Sequence, residues 1–255
     1  MELNTEIVAG LTPLTLAFSL MVVFLAAIVR GYTGFGFSAL LVTSLSLVMP
    51  PSEVVPIALM MEVIASAHML PKVWRDVDRK LVGVLFFGAV IASPLGVHLL
   101  ASIPTTPMRA TLYIICLCAA LTIWRGYKMK NGHGMGHMIG AGLISGVVNG
   151  ATAMGGLMVV IFLLTGSITA AAMRASMIAF FFVLDTYATA FTWAEGLLTS
   201  DVLLRTAIFV PPLLLGNLMG HRKFVTAAPE SFRRYTLILL MSLSGVGLIR
   251  TFTGF

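Results

Sequence analysis

The chain has 255 residues, of which 58% are hydrophobic and only 10% charged, with a mean hydropathy of +1.00. A soluble domain carries about 25% charged residues, so a water-soluble enzyme is excluded. The net charge of +6 does not point to nucleic acid, because most of the basic residues sit in short loops flanking apolar blocks.

Ten apolar blocks follow one another, at roughly 11–29, 35–49, 52–70, 81–101, 107–124, 138–149, 154–165, 168–188, 202–219 and 235–249. Crossing a ~30 Å hydrocarbon core takes about 20 helical residues. The first, third, fourth, fifth, eighth and ninth blocks reach that length. The second, sixth and seventh are short, and read either as tilted crossings or as half-helices ending inside the protein. The expected fold is an all-α polytopic membrane protein with about 8–10 membrane segments. The opening Met1-Glu2-Leu3-Asn4-Thr5-Glu6 carries acid and no base, unlike a cleaved signal peptide. Cys116 and Cys118 lie two apart in one block and face different ways, so neither a disulfide nor a metal site is expected.

Sidedness follows from Lys and Arg. Lys72, Arg75, Arg79 and Lys80, then Arg125, Lys128 and Lys130, then Arg222, Lys223, Arg233 and Arg234 place three loops in the cytoplasm. The acidic stretch around Trp193, Glu195 and Asp201 is expected outside. Ten crossings with both termini outside satisfy these constraints, and so do re-entrant hairpins at the short blocks. Trp74, Trp124 and Trp193 fall at block ends, as interfacial tryptophans do.

The strongest internal signal is a repeat. Gly31-Tyr32-Thr33-Gly34-Phe35-Gly36-Phe37 matches Gly150-Ala151-Thr152-Ala153-Met154-Gly155-Gly156 at an offset of 119 residues, and the same offset pairs His98 with Asn217. The chain therefore divides into an N-terminal half (1–128), a polar linker (129–137) and a C-terminal half (138–255). Each half holds an odd number of crossings, so the second enters the bilayer from the opposite face. Such an inverted repeat puts a shared site near the midplane, where broken helices meet. The glycine motifs are the expected breaks. Their following helices would present N–H groups and partial positive charge to an anion. The competing reading is that these glycines only allow close helix packing.

At these residues the sequence resembles the sulfite exporter TauE/SafE family, also called toluene-sulfonate uptake permeases. The first motif, followed by Leu40-Leu41-Val42 and Pro50-Pro51-Ser52-Glu53-Val54-Val55-Pro56, is similar to that family's first half. Gly142-Leu143-Ile144-Ser145-Gly146, leading into Gly150-Ala151-Thr152-Ala153-Met154-Gly155-Gly156, is similar to its second. The resemblance covers the whole chain. It implies transport of sulfite, sulfoacetate or another organosulfonate across a bacterial inner membrane. The charge distribution puts both termini in the periplasm, and no cofactor is expected.

The candidate substrate-binding residues are Arg30, Gly31, Thr33, Gly34, Phe35 and Gly36 in the first motif. Their counterparts in the second are Asn149, Gly150, Thr152, Met154, Gly155 and Gly156. Arg30 suits a sulfonate, because its fork matches oxyanion geometry, but it also fits a positive-inside anchor. Thr33 and Thr152 either donate to substrate oxygens or bond back to a helix carbonyl. Candidates for coupling or gating are Glu62, Asp185, Arg174, His98 and Asn217. Glu62 and Asp185 sit mid-block, where uncompensated burial costs at least ~2.5–3.5 kcal/mol. Each is a proton site or gate, or is paired for structure. Arg174 reads more readily as a cytoplasmic anchor at a hairpin tip. His133 and His137 alone are too few for a metal site. No H-E-x-x-H, G-x-S-x-G or G-x-x-x-x-G-K-[ST] motif is present, so an intramembrane enzyme or an ATP-driven pump is not expected.

The functional expectation is a secondary transporter that exports a small sulfur oxyanion by alternating access. The alternatives are proton-coupled uptake of a sulfonate or carboxylate, and a membrane assembly or receptor subunit without flux. The expected partners are a small anion and the lipid bilayer, with no nucleic acid. The oligomeric state is open.

Overall fold

The computed structural model describes residues 10–126, 134–163, 168–224 and 229–253. The described residues form ten α-helices: α1 (Pro13–Thr33), α2 (Phe37–Leu45), α3 (Pro51–Val73), α4 (Arg79–Ser102), α5 (Thr105–Trp124), α6 (Met135–Thr152), α7 (Gly155–Leu163), α8 (Ala170–Ala194), α9 (Ser200–Phe224) and α10 (Pro229–Thr253). Seven of them, α1, α3, α4, α5, α8, α9 and α10, are long and apolar enough to cross a membrane. The protein is a multi-pass membrane protein.

Local chemistry sets the helix starts. The Thr12 hydroxyl accepts from Thr15 N–H at 3.3 Å, with Pro13 following as the first helical residue. Asp78 accepts from Leu81 N–H at 3.0 Å, and Thr169 from Ala172 N–H at 3.2 Å. The short blocks resolve differently from one another. The sixth extends on both sides into the 18-residue α6, about 27 Å long. The second and seventh shrink to nine residues each, as α2 and α7. At about 13.5 Å these two helices are half-length rather than crossings.

The order long, short, long, long, long occurs twice, and the packing follows it. Helix α4 lies along α6 and α1 along α9, while α3 meets α8 and α5 meets α10. Small residues bring the first two pairs together. Cβ atoms at Gly88 and Gly96 of α4 would run into the Ile139 and Val147 carbonyls of α6, and one at Gly150 into the Ser93 carbonyl of α4. On the other pair, Gly31 faces the Asn217 carbonyl, and Gly216 and Gly220 face those of Phe24 and Ile28. Lipid is as apolar as leucine, so close van der Waals approach substitutes for a hydrophobic drive here. The opposite face of α4 presents Phe87, Ile91 and Leu95, each more than half exposed at i, i+4 spacing, as a lipid-facing stripe does.

The packing reading of Gly31 and Gly150 yields a test. Gly31→Leu and Gly150→Leu must each push two helices apart. The expected cost is at least the ~1–3 kcal/mol of an overpacked core, read as a lower unfolding midpoint in detergent. Gly83→Leu, where a Cβ meets nothing within 4 Å, is expected to leave the midpoint in place.

Candidate functional site

The two glycine motifs are the points where long helices end and half-helices begin. At the first, Gly34 has φ 83° and its N–H closes on the Arg30 carbonyl at 2.7 Å; Gly36 has φ 87°. At the second, Ala153 has φ 56° and its N–H closes on the Asn149 carbonyl at 2.7 Å. A left-handed turn thus ends both helices, although the second motif supplies alanine where glycine is free of strain. Thr33 Oγ1 donates to Val29 O at 2.9 Å or Phe35 O at 2.6 Å, and accepts from Phe35 N–H at 3.2 Å. Thr152 Oγ1 likewise donates to Val148 O at 2.7 Å and accepts from Met154 N–H at 3.3 Å. Of the two roles expected for these threonines, the structure has the backbone one: they pin the breaks. Gly155 and Gly156 answer to space, since Cβ atoms there would collide with the Ser145 carbonyl and the Phe181 ring.

Beside the first break lies a buried charge cluster. Arg30 and Glu62 are each 1% exposed and form an ion pair. Arg30 Nη2 donates to Ser66 Oγ at 2.6 Å, and its guanidinium carbon stands 5.3 Å from the centre of the Phe181 ring. Arg30 Nε has no acceptor among the described residues. Glu62 Oε1 accepts from the Ser38 hydroxyl and, at 3.3 Å, from Ser38 N–H in the first turn of α2. The anion at this helix N-terminus is therefore the protein's own Glu62. Arg30 is not a positive-inside anchor, because its charge is enclosed and paired. Glu62 has the basic partner that a structural role requires.

The second half repeats this arrangement without a cation. Asn149 replaces Arg30 and Asp185 replaces Ser66, and Asn149 Nδ2 donates to Asp185 Oδ1 at 2.6 Å. The pairs Arg30–Ser66 and Asn149–Asp185 are each 36 residues apart. Asn149 Oδ1 accepts from Gly155 N–H at 3.2 Å, as Glu62 accepts from Ser38. Asp185 is 1% exposed, and its Oδ2 has no hydrogen-bond partner among the described residues. Phe181, the counterpart of Glu62, sits against both Arg30 and Gly156. One aromatic ring thus touches both the first motif's cation and the second motif. The cleft at the first motif, lined by Thr33, Phe35, Gly36 and Leu157 among others, holds about 10 Å³. That is roughly one water; the cluster itself is closed off by burial, with Arg30 and Glu62 each 1% exposed.

The remaining candidates divide. Arg174 is buried, donates from Nη2 to the Gly31 carbonyl at 2.7 Å and to His221 Nδ1 at 3.1 Å, and lies over Gly34, where a Cβ would come within 2.6 Å of its Cγ. It braces the first break rather than anchoring a hairpin tip in headgroups. Asn217 is buried with Nδ2 3.4 Å from Ala65 O, and its own carbonyl faces Gly31. His98 is not brought to the cluster. Its side chain is 63% exposed, with Nδ1 3.2 Å from Glu195 and Nε2 3.3 Å from Ser102 Oγ. His133 lies outside the described residues, and His137 is exposed.

A family model described as "Sulfite exporter TauE/SafE" matches residues 19–248, nearly the whole chain and both motifs. The chain belongs to the TauE/SafE sulfite exporter family. No curated protein and no solved structure matches it. As a TauE/SafE member it is a membrane transporter of the sulfite exporter type, and the buried cluster sits between the two half-helices of that transporter.

Arg30 and Glu62 hold one another in the interior, and this is measurable. Arg30→Met strands a buried carboxylate and is expected to cost ~3–5 kcal/mol. Glu62→Gln added to the same chain should return most of that loss. A denaturant-unfolding cycle in micelles reads the coupling, and strictly additive losses would show the pair to be independent.

Proposed function

We propose that the chain exports a small sulfur oxyanion, sulfite or a short organosulfonate, and that the substrate binds at Arg30 in competition with Glu62. The observation that carries this reading is the occupant already present. A carboxylate bridges a buried guanidinium and the N–H and hydroxyl at the start of α2. These are the groups that recognise an oxyanion, and Arg30 Nε has a donor to spare. The substrate takes the Arg30 face while Glu62 keeps Ser38.

The halves then rock about this point, as in transporters built from inverted repeats. Several features support an inverted relation between 1–128 and 138–255: the twice-repeated helix order, the paired contacts α4–α6 and α9–α1, and the recurrence of Arg30–Ser66 as Asn149–Asp185. The closed cluster corresponds to an occluded state. In this reading the chain sits in a bacterial inner membrane, with the basic loops toward the cytoplasm and the termini toward the periplasm. The interior-negative potential drives one negative charge outward by about 2.3 kcal/mol per 100 mV, so export needs no coupling ion.

A second reading is favoured by one observation, the unpartnered Oδ2 of buried Asp185. If that carboxyl carries a proton, the anion moves with it and the cycle becomes electroneutral, which suits proton-coupled uptake. Proteoliposomes loaded with sulfite separate the two. Export down the potential predicts efflux that accelerates with an interior-negative potassium–valinomycin potential and is indifferent to an imposed pH gradient. Efflux that follows the pH gradient and ignores the potential would replace the first reading with the second. Glu62→Gln removes the competitor and is expected to tighten sulfite binding on the order of tenfold, about 1.4 kcal/mol.

A further inference from the structure

A second group of basic side chains lies away from the central cluster, where the end of α2, the start of α5 and the end of α10 meet. They surround a polar cavity of about 250 Å³. Thr106, Arg109 and Tyr113 reach it from one face of α5 at i, i+3 and i+7, and Arg250 and Thr251 from α10. Ser46, just past α2, completes the lining. No carboxylate is among the residues that form it, and Glu53, near the start of α3, is committed to Arg205.

Three donor atoms here are buried without a partner among the described residues. Ser46 Oγ and Tyr113 Oη have no hydrogen-bond partner among the described residues, though the two residues are 0% and 1% exposed. Arg109 Nη2 donates to Met49 O at 3.1 Å, but its buried Nε has no acceptor among the described residues. A buried hydroxyl without a partner is costly, so two beside an arginine call for an acceptor-rich occupant. The Tyr113 ring lies where a Cβ at residue 247 would stand, so Gly247 admits the ring.

We infer that this cavity is a second anion site. It binds a sulfate- or sulfonate-type oxyanion between Arg109 and Arg250, with the hydroxyls of Ser46 and Tyr113 donating to it. Two sources share that chemistry, a free oxyanion and the phosphate of a lipid headgroup. Binding at this cavity stands by itself; its role as a station on the export path rests on the proposed function.

The test is equilibrium binding of radiolabelled sulfite to the purified full chain in micelles. The expected wild-type stoichiometry is two, falling to one in Arg250→Gln. In Tyr113→Phe, which keeps the ring on Gly247, affinity at one site is expected to fall on the order of tenfold. If the central reading fails and this one holds, wild type binds one sulfite and Arg250→Gln binds none. Stoichiometry and affinity unchanged in both variants would overturn the site. Repeating the measurement in phosphatidylcholine nanodiscs with and without phosphatidylglycerol assigns the source. Loss of one sulfite to phosphatidylglycerol makes the headgroup the occupant, and no loss makes it the free anion.

Discussion

The constraint on which the structure turns is that a guanidinium must stay charged away from water. Arginine is a permanent cation in proteins, and an isolated charge at bilayer depth is costly even on the mildest scale. Its surroundings all address that cost. Glu62 supplies the countercharge, Ser66 a neutral acceptor and Phe181 the negative face of a ring. Glu62 is steadied in turn by the first turn of α2, which is available only because the chain breaks at Gly34 and Gly36. The break, the carboxylate and the cation form one unit, and Arg174 braces it from α8 through the Gly31 carbonyl.

A pair of this kind is poor evidence for stability, because well-packed apolar residues serve an interior better. It suits a transporter. A site that carries its own anion need not expose a bare cation to lipid between cycles, and a substrate oxyanion exchanges one set of charge-assisted hydrogen bonds for another. The second half keeps the geometry with Asn149 and Asp185 in place of Arg30 and Ser66. The two breaks are therefore alike in their left-handed turns and unlike in side chain, with a guanidinium at the first alone.

Much of this was legible in the sequence. Long apolar blocks gave the crossing helices, and the repeated G-x-T-small-x-G pattern located both breaks. The offset of 119 also set Ser66 opposite Asp185 and Glu62 opposite Phe181, the four positions that surround Arg30 and Asn149. Their contacts were not legible, because nothing in a linear pattern says that residue 30 reaches residues 62 and 66 across a helix pair. The roles within the motifs were also mixed. Gly31 and Gly150 serve packing, Gly34 and Gly36 serve backbone angle, and Thr33 and Thr152 serve the turn itself. Glycine and threonine look the same in sequence whichever duty they have. Arg174 read as an anchor because it stands at a helix start; only the tertiary fold turns it inward. Ser38 carried no signal at all, being one serine in an apolar run.

The central claim is that a substrate oxyanion occupies the Arg30 face of this cluster. Selenite, a heavier relative of sulfite, can be located by anomalous scattering in crystals of the full chain. The account predicts a selenium peak within hydrogen-bond distance of the Arg30 guanidinium, with Glu62 displaced from it and still on Ser38. Selenium bound elsewhere in the protein, with the Arg30–Glu62 pair intact, would contradict it.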